Sequence, residues 1–209
     1  MGKRFESIDA AHREFIAKQK IFFNASAAAE GRVNLSPRDT QLLRIADDNT
    51  VVYLDLTGSG NETAAHLRAN GRLTLMFCAF EGSPMVLRLY GTGRVVKRGS
   101  GEYQTILERY FHNDEPLGAR QIIVQSVELV QTSCGYNVPR FDYREDRDTL
   151  TRWAEKKGPE GLETYWREKN LRSMDDLPTG LMDETNAAEG GLPESNKGTP
   201  ITLPKRSIW

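Results

Sequence analysis

Only four residues, Glu81-Gly82-Ser83-Pro84, separate two stretches that both read as β-strands. The first, Leu73-Thr74-Leu75-Met76-Phe77-Cys78-Ala79-Phe80, is apolar at almost every position, as expected for a strand buried on both faces. The second runs from Met85 to Val96 and alternates Met85, Leu87 and Leu89 with Arg88, Tyr90, Thr92 and Arg94, so one face turns inward. A parallel crossover takes about a dozen residues or more, so strands joined this tightly must be antiparallel neighbours. The link therefore argues against a doubly wound sheet for the whole region around it.

That exclusion matters because of what lies just upstream. Val51-Val52-Tyr53-Leu54-Asp55-Leu56 is a β-branched and aromatic run, Thr57-Gly58-Ser59-Gly60-Asn61 a turn, and Glu62-Thr63-Ala64-Ala65-His66-Leu67 the start of a helix. Gly58 and Gly60 carry no Cβ to block an anion, and the first N–H groups of a helix have no intrahelical partner. The stretch reads as a phosphate cradle. Gly58-Ser59-Gly60-Asn61-Glu62-Thr63 nearly spells a dinucleotide fingerprint, with Glu81 about 20 residues on where a ribose would be held. The third glycine is missing, however, two strands already precede the motif, and no crossover helix follows Phe80. A P-loop fails because no Gly-Lys-Ser/Thr is present. A plain capping box, with Ser59 and Glu62 at the required spacing, is the structural alternative.

The remaining elements fit an antiparallel β architecture. Residues 9 to 18 form a short opening helix capped by Asp9. Ile21-Phe22-Phe23-Asn24-Ala25 reads as a strand that pairs, through a turn at Glu30-Gly31, with Arg32 to Ser36, and Pro37 is expected to stop that partner. Gly91 and Gly93 inside a long strand predict a bulge or sharp bend. A helix over residues 101 to 112 and a last strand from Gln121 to Ser133 complete a count of six. The expected fold is mainly β, a six-stranded antiparallel barrel with peripheral α-helices. Beyond Cys134 two amphipathic helices, residues 144–157 and 160–170, are split by Gly158-Pro159 and bring Trp153 and Trp166 to their apolar sides.

Charge is nearly balanced over the 209 residues, 28 Lys and Arg against 29 Asp and Glu, which favours a small-molecule or protein partner over nucleic acid or a membrane surface. Cys78 and Cys134 show neither metal-ligand spacing nor a disulfide framework, and His12, His66 and His112 are scattered, so no metal site is expected. With no signal-peptide pattern and no apolar run near the roughly 20 residues a bilayer requires, the cytoplasm is the expected compartment.

Four segments together resemble one known family. Val33-Asn34-Leu35-Ser36-Pro37-Arg38, the stretch from Tyr53 to Thr63, Leu75-Met76-Phe77, and Leu89-Tyr90-Gly91-Thr92-Gly93 are similar to the FMN-binding split β-barrel proteins related to pyridoxamine 5'-phosphate oxidase. Ser133-Cys134-Gly135-Tyr136-Asn137-Val138-Pro139 and Glu168-Lys169-Asn170 with Leu177-Pro178 resemble the subgroup with a helical C-terminal extension. The resemblance implies a Greek-key split barrel over residues 1–140 and a helical extension over 141–179 that packs on the barrel or a partner subunit, while the Gly-, Pro-, Asn- and Glu-rich composition of 180–209 predicts an extended or poorly ordered tail. It also implies a homodimer with FMN at the subunit interface.

By the same resemblance, Asn34, Ser36 and Arg38 would contact the cofactor from the second strand. Leu54 and Asp55 would lie beneath the isoalloxazine ring, and Ser59, Gly60, Asn61 and Thr63 would hold the phosphate. True pyridoxamine phosphate oxidases carry Ser-Arg-Lys where this chain reads Ser59-Gly60-Asn61, so Arg38 or Arg88 is the expected source of positive charge. The implied function is a flavin-dependent oxidoreductase acting on an unidentified small molecule. The alternative is a non-catalytic flavin carrier or sensor, and vitamin B6 oxidation itself ranks below both.

Overall fold

The computed structural model describes residues 2–183. Strands β1 (Lys3–Phe5), β2 (Ile21–Ser26), β3 (Asn34–Asp39), β4 (Leu43–Ile45), β5 (Thr50–Leu56), β6 (Arg72–Cys78), β7 (Val86–Lys97) and β8 (Ala119–Ser133) form one sheet. Four helices accompany it: α1 (Ala10–Lys18), α2 (Glu62–Asn70), α3 (Gly101–Phe111) and α4 (Thr149–Lys169). The sheet order is β3-β2-β6-β7-β8-β5-β4, with β1 added to β8, and every pairing is antiparallel. β6 and β7 pair antiparallel as expected, from Cys78 opposite Val86 to Arg72 opposite Thr92, although the strands end at Cys78 and begin at Val86, so seven residues rather than four join them.

Eight strands replace the six expected. The two added, β1 and β4, are three residues each, too short to show a period in the sequence. Pro37 does not end β3, which continues to Asp39 and pairs Pro37 with Phe23. β3 is an edge strand, so the missing N–H of Pro37 interrupts no ladder beyond it. The later helix begins at Thr149 rather than 144, and Gly158 at φ 65° breaks it where Gly158-Pro159 predicts a split. The expected tail beyond residue 183 lies outside the described residues.

The sheet curls around one apolar interior. Phe22, Tyr53, Leu75, Phe77, Leu87, Leu89, Ile123 and Val130 fill it, with Leu67 of α2 entering from one end. α3 covers the outer side of β5, β7 and β8, where Val52, Leu54, Val96, Ile106 and Ile122 form a second cluster. α4 packs separately through Ala154, Leu162 and Trp166. Among the described residues no helix is long and apolar enough to cross a membrane.

Curling depends on two irregularities. At Tyr90/Gly91 the β7–β8 register slips, because Tyr90 faces Leu129 while Gly91 faces Val127 and leaves Glu128 as the extra residue of a bulge. A Cβ on Gly91 would stand 1.9 Å from the carbonyl oxygen of Ser126, so a side chain there must displace backbone. Gly93 is confined differently: its Cβ would strike Leu73 at 2.7 Å and Leu67 at 3.0 Å, the seam where α2 meets the sheet. Gly91→Ala is therefore expected to lower unfolding free energy by on the order of 2–4 kcal/mol. Gly101→Ala, where a Cβ meets nothing within 4 Å, should be neutral or mildly stabilising. Urea denaturation of the two variants beside the parent checks both signs.

Candidate functional site

β2 and β3 face the barrel interior with alternate residues, and on β3 those residues are polar. Phe22, Asn24 and Ser26 are buried, and opposite them stand Arg38, Ser36 and Asn34. Asn24 and Asn34 both donate to Thr63 Oγ1 at the start of α2, over 2.6 and 3.1 Å. Ser36 donates to Asn34 Oδ1 at 3.0 Å, and Arg38 reaches Asn24 Oδ1 at 3.4 Å. The polar face of the edge strand is thus tied to the helix that follows the glycine turn.

Arg38 also crosses the interior to the other half of the sheet. Its guanidinium lies 2.9 Å from Asp55 Oδ1, an ion pair by distance, although no donor is well aligned with that oxygen. Asp55 is fully buried on β5 and receives two further donors on Oδ2: Arg120 Nε at 2.8 Å and Gln121 Nε2 at 2.7 Å. Two consecutive strand residues can reach one carboxylate because the β5–β8 register slips here. Asp55 faces Gln121 and Leu56 faces Ala119, which leaves Arg120 as the extra residue of a second bulge. Burial pushes the Asp55 carboxyl upward, but Arg120 and Arg38 with the hydrogen bonds from Arg120 and Gln121 outweigh it and hold the group below the usual carboxylate range.

Arg120 then links the bulge to the glycine turn. Its Nη1 donates to the carbonyl of Gly60 and to Asn170 Oδ1, both at 2.9 Å. Gln121 donates at 2.8 Å to Asn61 Oδ1, whose amide nitrogen is buried without an acceptor. The capping box is not formed. Asn61 occupies the N-cap of α2 without a side-chain cap, and the Glu62 carboxylate accepts from the Met174 N–H instead of reaching back. Ser59 stands exposed at the tip of the turn.

The residues named from the sequence therefore divide. Asn34, Ser36, Arg38, Asp55, Asn61 and Thr63 belong to this network, and Gly60 contributes a carbonyl to it. Leu54 turns to the other side of β5, into the cluster beneath α3. Arg88 faces outward on β7 opposite Met76 and donates to Ser133 Oγ at 3.3 Å, on the reverse side of the sheet from Arg38. Asn24, Arg120, Gln121 and Asn170 were not foreseen. Asn24 carried a signal, being polar in phase with inward Phe22, whereas strict alternation would put Arg120 on the opposite face from Gln121.

A cavity of about 1180 Å³ opens elsewhere, between α1, the β6–β7 turn and residues 141–147, lined by Phe15, Lys20, Phe80, Phe141 and Tyr143 among others. It shares no residue with the Asp55 network. Among the described residues no group of His, Cys, Asp and Glu is placed to hold a metal ion.

An antiparallel sheet curled on itself, left open between β3 and β4, with a helix start set at its polar rim, is of the split β-barrel class. The chain belongs to the pyridoxamine 5'-phosphate oxidase family, whose model matches residues 8–134. It is 35% identical over 190 residues to the pyridoxamine 5'-phosphate oxidase family protein ustO of Aspergillus flavus, covering 83% of this chain and 76% of that one. Among solved structures, a HupZ variant of Group A Streptococcus matches 60% of this chain and 99% of its own at 21% identity and TM-score 0.51. A Lactobacillus delbrueckii protein described as a putative pyridoxamine 5'-phosphate oxidase matches 60% and 94% at 12% identity and TM-score 0.47.

Removing the Asp55 charge leaves Arg120, 2% exposed, without its counter-ion. Asp55→Asn is expected to destabilise the chain by on the order of 3–5 kcal/mol. A carboxyl held below its ordinary value of 3.8 contributes stability that is complete above that value and is lost as pH falls through the lower folded one. Denaturation followed across the acid range should therefore show a flatter pH dependence in Asp55→Asn than in the parent.

Proposed function

We propose that the chain binds FMN with its phosphate at the Gly58–Thr63 turn, as a homodimer, and acts as a flavin-dependent oxidoreductase on a small molecule. The observation that carries this reading is the start of α2. Its N-cap side chain makes no cap bond, and the buried Asn61 amide nitrogen has no acceptor, so donors are gathered where an anion would be held. Beneath it two guanidinium groups share one buried carboxylate, which leaves net positive charge, and the Arg38 side chain is 21% exposed. The residues fit a phosphate held by dipoles and by a partly open arginine.

Asn61, Thr63 and the first N–H groups of α2 would hold the phosphate together with Arg38, and Asn34 and Ser36 would orient the ring edge from β3. When bound, FMN would supply the hydride or electron transfer, so no separate acid–base pair is required of the chain. Asp55 keeps Arg38 and Arg120 in place and stays ionised at neutral pH.

The outer face of β3, β2, β6 and β7 supports dimerisation. Val33 and Leu35 are 72% and 61% exposed, and Phe23, Met76 and Tyr90 continue the strip. Arg88 lies on this face, so it would serve a cofactor only across a subunit interface. A non-catalytic flavin carrier is the second reading, favoured by the commitment of both Arg38 and Arg120 to Asp55.

The parent chain should quench FMN fluorescence at micromolar concentration or below, and no quenching in that range contradicts the proposal. Leu35→Glu should sediment as a monomer and lose FMN together with the dimer. Addition of NAD(P)H without oxygen separates the two readings. Bleaching followed by turnover on re-oxidation marks an enzyme, and an unreduced flavin marks a carrier.

A further inference from the structure

From α4 onward the C-terminal extension meets the barrel at the glycine turn and the start of α2. Trp166 Nε1 donates to Thr57 Oγ1 at 2.7 Å, and that hydroxyl donates to the carbonyl of Gly118 at 2.7 Å. The Met174 N–H binds the Glu62 carboxylate, and Asp175 pairs with Arg32 beside the β2–β3 connection. Centred among these contacts is Asn170, fully buried just past the end of α4.

Each polar group of Asn170 is used. Its Oδ1 accepts from Arg120 at 2.9 Å, its Nδ2 donates to the carbonyl of Gly58 at 3.1 Å, and its own carbonyl accepts from Thr179 Oγ1 at 2.7 Å. Arg120 in turn binds the carbonyl of Gly60. Both glycine carbonyls of the turn are therefore drawn toward one carboxamide and the guanidinium it touches. With those carbonyls held back toward the extension, the turn is fixed and the uncapped N–H groups of α2 start from a set position.

We propose that Asn170 is a positioning residue for the anion site. Its carboxamide fixes the Gly58–Gly60 turn, so that the extension sets how well a phosphate is held. The assignment rests on the preceding reading for the identity of the anion and on geometry alone for the positioning. A carboxamide is required because one planar group must offer an acceptor to Arg120 and a donor to Gly58. Aspartate keeps the shape and the acceptor but turns an oxygen on the Gly58 carbonyl.

The test compares the parent full-length chain with Asn170→Asp. Hydrogen exchange of residues 57–66 is measured without ligand, and affinities are measured for FMN and for riboflavin, which lacks the phosphate. Faster exchange at 57–66 with that of β7 and β8 unchanged is the expected result. FMN affinity should fall about tenfold or more while riboflavin affinity holds. Equal losses for both flavins, or exchange at 57–66 identical to the parent, overturns the assignment. If the parent binds neither flavin but the exchange contrast remains, the FMN reading fails and the positioning role stands. Should Asn170→Asp not fold, Trp166→Phe removes the donor to Thr57 together with part of the ring that packs α4. It should speed exchange in the same segment to a lesser degree, and unchanged exchange there counts against the proposal.

Discussion

One buried carboxylate joins the two halves of this sheet. Asp55 on β5 is reached by Arg38 from β3 and by Arg120 from β8, although β3 and β5 lie near opposite ends of the pairing order. Contact between them requires the sheet to curl until its first strand faces its sixth. The apolar interior drives that closure, but apolar contacts are non-directional. The charge network specifies which edge meets which strand. Buried ion pairs often add little net stability against a well-packed apolar alternative, so their value here is better sought in the register they impose.

The same carboxylate decides what the bulge in β8 is for. Without the extra residue at 120, the arginine would point beneath α3 into an apolar cluster, where an unpaired guanidinium is costly. With it, Arg120 and Gln121 converge on Asp55, and the arginine has donors left for Gly60 and Asn170. A local defect in pairing thus carries the influence of β5 out to the glycine turn and the extension. Thr63 plays the matching part on the other side, gathering Asn24 and Asn34 onto the first turn of α2.

Much of this was legible in the sequence where local chemistry has a single solution. A link too short for a crossover fixed the antiparallel β6–β7 pair, Gly91 marked the bulge against Ser126, and Gly158-Pro159 marked the break in α4. Asp55, Arg38 and Asn34 came through family likeness, and their mutual contacts came only with the coordinates. What stayed hidden depended on register and distance along the chain. Arg120 was out of phase with Gln121 until the bulge rotated it, and Asn170 meets Gly58 across more than a hundred residues. β1 and β4, three residues each, are shorter than the run of about four alternating residues that would reveal them. Ser59 and Glu62 matched a capping box by spacing, yet the Met174 N–H claimed the carboxylate.

The central claim, that Asp55 and Arg120 act as one unit tying the barrel to its turn, is tested most directly by a double-mutant cycle over Asp55→Leu and Arg120→Met in chemical denaturation. A coupling energy of about 2 kcal/mol or more is the expected result, with the double variant more stable than the sum of the single losses allows. Additive losses, with coupling near zero, would contradict it.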